Sequence, residues 1–266
     1  EAFASFYAKN YGVTVDPANE ILPLIGSKEG IMHIAMAYLE AGDVTLIPNP
    51  GYPTYQAACS LAGATVQAYE LTEANGWLPD LDALDQQDLS KVKIMWVNYP
   101  HMPTGAKANL AFFERLKNFA EKHSILIVND NPYSFILNDE PISMLAIPGM
   151  NDVGIELNSL SKSHNMAGWR IGALLGQSEF LNPVLKFKSN MDSGMFLPVQ
   201  VAAAKALELD QDWFDMVNEI YAQRKEQALV LLDLLGCSYS KDQVGMFVWA
   251  RIPDQYASGF ELGQGF

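Results

Sequence analysis

The sequence predicts an α/β protein: a mostly parallel sheet sandwiched by helices, followed by the start of a small C-terminal α/β domain. Three observations carry that expectation. Short apolar segments alternate with helical patterns along most of the chain. Several of the segments are apolar without a break, as in Ile125-Leu126-Ile127-Val128, which suits strands covered on both faces. The 266 residues are 49% hydrophobic and 11% aromatic, enough for a large packed core and too apolar for a disordered chain.

Taken in order, strands are expected at 20–25, 44–48, 65–71, 93–98, 125–130 and 154–160, each a short apolar run. The clearest helical patterns lie at 28–41 and 109–123. A long helical pattern covers 211–235 and is stopped by Gly236. Residues 245–252 then read as a strand of a second domain. The expected division is a large domain at 1–210, a connecting helix at 211–236 and the beginning of a small domain at 237–266. The chain opens on Glu1, and Gly263-Gln264-Gly265-Phe266 closes no element, so a fragment truncated at both ends is expected.

Charge excludes whole classes of function. Seventeen Lys and Arg against 31 Asp and Glu leave a net charge of −14, which disfavours nucleic acid and anionic membrane surfaces as partners. No apolar run reaches membrane-spanning length. Two cysteines, Cys59 and Cys237, make no disulfide framework and fit a reducing cytoplasm. His33, His101, His123 and His164 lack metal-ligand spacing, so no metal site is expected.

In open α/β sheets ligands bind beyond the carboxyl ends of the strands. The residues following the expected strands are therefore the candidates. They are Gly26-Ser27-Lys28-Glu29-Gly30, Pro50-Gly51-Tyr52-Pro53, Pro103-Thr104-Gly105, Asp130-Asn131-Pro132-Tyr133 and Ser159-Leu160-Ser161-Lys162. A lysine beside two serines, with Arg170 eight residues on, suits an aldehyde cofactor that carries a phosphate. The amides of Ser27 and Lys28 would add a helix N-terminus to the same phosphate. A carboxylate at a buried strand end fits a protonated pyridine nitrogen.

The stretch Ser159-Leu160-Ser161-Lys162-Ser163-His164-Asn165-Met166-Ala167-Gly168-Trp169-Arg170-Ile171-Gly172 closely resembles the lysine signature of the class I/II aminotransferases, pyridoxal-phosphate enzymes of fold type I. The other four strand-end motifs fall in that family's order, so the resemblance covers nearly the whole chain. It implies pyridoxal 5'-phosphate held as a Schiff base by Lys162, which also shuttles the proton at Cα. It implies Asp130 at the pyridine nitrogen, Tyr133 at the ring phenolate and Tyr52 stacked on the ring. Ser159, Ser161, Arg170 and the amides of Ser27 and Lys28 would hold the phosphate. The implied substrates are an amino acid and a 2-oxo acid, and the implied assembly is a homodimer with shared sites.

Two departures stand out. Where the family has an Asn donating to the phenolate, this chain has Met102, which has no proton to give. Tyr133 alone or a shifted His101 is left for that task. The family's carboxylate-binding arginine matches none of Arg115, Arg170, Arg224 and Arg251 and is expected beyond the chain. Two further readings stay open: a carbon–sulfur lyase of the same fold, and a non-catalytic cofactor-binding domain of a transcription regulator.

Overall fold

The computed structural model describes residues 1–265. Seven strands form one sheet: β1 (Ile21–Leu24), β2 (Val44–Asn49), β3 (Thr65–Glu70), β4 (Val92–Val97), β5 (Leu126–Asp130), β6 (Gly154–Ser159) and β7 (Gly172–Leu175). Their order is β1-β7-β6-β5-β4-β2-β3. All pairings are parallel except those of β7, which runs antiparallel to both β1 and β6. β1 is an edge strand, and Pro23 in it removes a ladder donor only where the edge can spare one.

The helices are α1 (Ala2–Tyr11), α2 (Ser27–Tyr38), α3 (Pro53–Leu61), α4 (Leu81–Leu84), α5 (Leu110–His123), α6 (Leu160–Ser163), α7 (Ser178–Lys188), α8 (Leu197–Ala206), α9 (Gln211–Leu234) and α10 (Gly259–Gln264). Alternation along the strands sends side chains to two cores. Ile94, Trp96, Val128 and Leu157 pack with α2, α3 and α7 through Ile31, Ile34, Tyr55, Ala58 and Val184. Met95, Val97 and Ile127 pack on the other face with α1, α5 and α9 through Tyr7, Phe113, Leu116 and Phe214. Helix α5 shows how sequence sets a boundary. Asn109 Oδ1 accepts from Phe112 N at 2.8 Å to start it, and Ser124 at φ 55° ends it.

The expected strand at 245–252 is not formed. The segment is left with an isolated antiparallel bridge between Ser238 and Arg251. Its ladder groups are taken by a side chain instead. Gln243 Oε1 accepts from Trp249 N at 2.6 Å, and its Nε2 donates to Trp249 O at 2.7 Å. Gly245 N meanwhile donates to Ile136 O, which docks the segment on the loop that follows β5.

Candidate active site

Ser27, Lys28, Tyr52, Asp130, Tyr133, Ser159, Ser161, Lys162 and Arg170 all line one cavity of about 580 Å³. They arrive from the carboxyl ends of β1, β2, β5 and β6 and from the turn before β7. The structure therefore brings these nine residues to one place.

One side of the cavity is built for an anion. Gly26 precedes α2 at φ 78°, and a Cβ there would stand 2.2 Å from Arg170 Nη2, so the guanidinium lies against the bare Cα. Gly172 is equally constrained, since its Cβ would meet Asn158 O at 2.6 Å and Ser27 N at 3.0 Å. Arg170 Nη1 donates to Ala167 O at 2.9 Å and to Ser161 Oγ at 3.4 Å. Ser159 Oγ accepts from Ser161 N at 3.2 Å and caps α6. The turn into α2 is held from below by Glu29, whose carboxylate accepts from Ile25 N and from Lys188 Nζ. A helix N-terminus, a guanidinium and hydroxyls on one concave wall are what a phosphate dianion requires.

The other side holds a carboxylate. Asp130 is 5% exposed; its Oδ2 accepts from Tyr55 Oη at 2.9 Å. Its Oδ1 is buried with no partner in the chain. Burial pushes the Asp130 carboxyl up to about 6, with the Tyr55 bond opposing and the Glu156 charge adding. A buried unpaired carboxylate oxygen on a cavity wall is costly, and a bound N–H removes that cost. These two walls match the two polar ends of pyridoxal phosphate.

Tyr55 belongs to the same stretch after β2 as Tyr52, and the sequence gives it no specific role. It stacks on Trp96 at 5.1 Å and 16°, and it meets Tyr52 edge-on at 5.7 Å. Only its position three residues after Tyr52, on the inner face of α3, could have flagged it. Tyr55→Phe should therefore cost stability in a pH-dependent way. Above pH 6 Asp130 is ionised and the bond is charge-assisted, worth about 1.5–3 kcal/mol. Near pH 5 the carboxyl is largely neutral, and the loss should fall to about 0.5–1.5 kcal/mol. Urea unfolding of both proteins at pH 8 and pH 5 checks this; equal losses at both would disprove it.

Met102 lies on the cavity wall, and its N donates to Asn98 Oδ1 at 2.8 Å. Asn98 Nδ2 in turn donates to the Asp130 carbonyl. His101 is elsewhere. It is 3% exposed, its Nδ1 is 2.8 Å from Thr104 Oγ1, and burial lowers its pKa to about 4. Of the two candidates for the phenolate, His101 is absent from the cavity lining and Tyr133 is on it. Burial raises the Tyr133 phenol, with the Asp130 charge adding, which keeps it a neutral donor. Phe247, also missed, closes the cavity with its ring edge-on to Tyr133 at 5.7 Å. Among the described residues there is no cluster suited to a metal ion and no helix long and apolar enough to cross a membrane.

The family model for aminotransferases of class I and II matches residues 1–260. An LL-diaminopimelate aminotransferase of Dehalococcoides mccartyi is 44% identical over 97% of the chain, and one of Aquifex aeolicus is 38% identical over 99%. The chain spans 67% and 69% of the lengths of those two relatives. Among solved structures, apo BacF of Bacillus subtilis superposes with a TM-score of 0.94 at 36% identity, covering 99% of this chain and 67% of that one. A probable N-succinyldiaminopimelate aminotransferase of Thermus thermophilus gives 0.90 at 33% identity, covering 96% of this chain and 69% of that one.

Proposed function

The chain belongs to the aminotransferases of class I and II, and from that premise we propose how its residues divide the work of transamination. The reaction is a pyridoxal-phosphate-dependent transfer of an amino group from an amino acid to a 2-oxo acid. The unpaired Asp130 Oδ1 on the same cavity as Lys162 carries the residue assignment. When bound, the cofactor supplies an aldehyde for amines and a ring that delocalises the electron pair left at Cα.

Ser27, the amides of Ser27 and Lys28, Ser159, Ser161 and Arg170 anchor the phosphate. Tyr52 covers the ring face, and Lys28 Nζ lies 5.7 Å above the Tyr52 ring. Asp130 Oδ1 would accept from the ring N–H and so favour the protonated nitrogen. Tyr133 donates to the ring phenolate. Lys162 Nζ is the amine that would hold the cofactor's aldehyde, and once free it would serve as general base and acid for the proton at Cα.

LL-diaminopimelate is the proposed amino donor, supported by the names of the relatives at 38–44% identity. Purified protein, cofactor and a panel of donors with 2-oxoglutarate test both claims. Release of pyruvate and ammonia without any acceptor would replace the transaminase reading with the lyase one. We further propose the large domain at 1–210, the connecting helix at 211–236 and the start of the small domain at 237–266. A homodimer with shared sites is also proposed, supported by the exposed apolar run Met191, Phe196, Leu197 and Val201. The free thiols of Cys59 and Cys237 support a cytoplasmic setting.

Met102 makes this site distinctive. A donor at that position favours the ionised phenolate, which here has Tyr133 alone. Met102→Asn should lower, by about one unit, the pH at which the bound cofactor changes colour, as one restored hydrogen bond of ~1.4 kcal/mol requires. His101→Gln should leave that pH unmoved. An absorbance titration of parent and variants decides both.

A further inference from the structure

Glu156 is a fully buried carboxylate that the mechanism above does not use. It lies on the face of the sheet opposite the cavity. In the β5–β6 register Asn129 stands beside Glu156 and Asp130 beside Leu157, and successive strand residues alternate faces. Tyr7 Oη donates to its Oε1 at 2.9 Å, Ser143 Oγ at 2.8 Å and Asn131 Nδ2 at 3.4 Å. Asn129 Nδ2 and Met144 N donate to its Oε2 at 2.9 and 3.1 Å.

Two of these donors are the residues on either side of Asp130. Asn129 Oδ1 also accepts from Tyr99 N at 3.2 Å, so the strand around Asp130 is tied on both sides of the sheet. None of the five donors is a cation. The two amide NH2 groups and the Met144 N–H have no lone pair with which to take a carboxyl proton. Burial raises the Glu156 carboxyl, and its donors pull the other way.

We propose that Glu156 is a positioning residue for Asp130. It is an ionised carboxylate that locks Asn129 and Asn131 and sets a second negative charge behind the cavity, so that the place facing Asp130 Oδ1 selects a protonated ring nitrogen over a neutral one. This rests on the reading of Asp130 as the partner of the ring nitrogen. The other titratable groups near the two carboxylates are phenols that burial keeps neutral. They are Tyr55 from α3 and Tyr133 after β5 at Asp130, and Tyr7 and Tyr11 from α1 at Glu156. Lys28, Lys162 and Arg170 line the cavity, but Asp130 is bonded only to Tyr55 through its carboxylate and Glu156 only to neutral donors.

The test uses protein labelled with 13C at Asp and Glu carboxyls. In the apo parent the Glu156 signal should sit at the ionised position at pH 7; a protonated signal overturns the proposal without any variant. Glu156→Gln is close in shape, and the hydroxyls of Tyr7 and Ser143 can rotate to accept its NH2. It should lower the Asp130 midpoint by about one unit, because a like charge is removed. Tyr7→Phe, which removes a donor and keeps the charge, should leave that midpoint in place. An unmoved midpoint in Glu156→Gln, or an equal shift in Tyr7→Phe, overturns the role of the charge. With ring-15N pyridoxal phosphate bound, Glu156→Gln should move the nitrogen signal towards the neutral ring. If Asp130→Asn leaves that signal unchanged, the Asp130 reading itself fails. If Asp130→Asn moves it and Glu156→Gln does not, only the present inference fails.

Discussion

Lys162→Ala should lower transamination by about 10⁴-fold or more, because it removes both the covalent amine and the general base in one substitution. The side chain is partly exposed on the cavity wall, so its loss opens space without leaving a void in either core. Thermal melting should therefore be nearly unchanged, and Arg170 with Ser159 and Ser161 should still retain the cofactor through its phosphate. A small added amine such as methylamine should restore part of the rate, since it can accept the Cα proton in place of Nζ. The decisive measurement is single-turnover conversion of donor by the cofactor-loaded variant. Turnover within tenfold of the parent would remove Lys162 from the mechanism.

Asp130→Asn should cost about 10²–10³-fold in kcat, the usual scale for losing one preorganised charged partner at a developing charge. The amide oxygen can keep the Tyr55 hydrogen bond, so the fold stays intact. At the Oδ1 position, however, an amide NH2 offers a donor where the ring N–H needs an acceptor. The ring nitrogen then loses its proton, and the electron pair at Cα loses its sink. Comparable rates in parent and variant would refute the assignment. The burial of Asp130 sharpens the contrast, since charge interactions are stronger away from bulk water.

The strands and the site were legible to different depths. β5 announces itself through the unbroken run Ile125-Leu126-Ile127-Val128, and β4 through Ile94-Met95-Trp96-Val97, because both faces of these strands meet helices. Lys162, Asp130 and Arg170 were legible because polar residues at strand ends have few structural uses in that pattern. β7 was invisible: Gly172-Ala173-Leu174-Leu175 is short, opens on a glycine, is followed by Gly176, and comes after a loop motif. Helix α3 was hidden by Pro50-Gly51-Tyr52-Pro53, which reads as a turn, although proline suits the first helical turn. The partners of Tyr55 and Glu156 stay hidden for one reason. Tyr55 meets Asp130 across 75 positions, and Glu156 meets Tyr7 across 149, distances over which no local period carries information. At 245–252 the apolar residues promised a strand, but one glutamine side chain captured the backbone groups of Trp249.

The reversal of β7 has a consequence for how this site tolerates insertion and deletion. A parallel crossover after β6 would have carried the chain to the far end of the sheet before it returned. Because β7 runs back beside β6, the chain between Ser159 and Gly172 never leaves the carboxyl edge. The reactive amine of Lys162 and the anion clamp of Arg170 therefore ride on one short tether, pinned at both ends by the Ser159–Gly172 pair. Residues added to the turn after β3 would only enlarge a surface loop. A single residue gained or lost between Ser163 and Trp169 would change the spacing between amine and guanidinium, and no other segment of the protein could restore it.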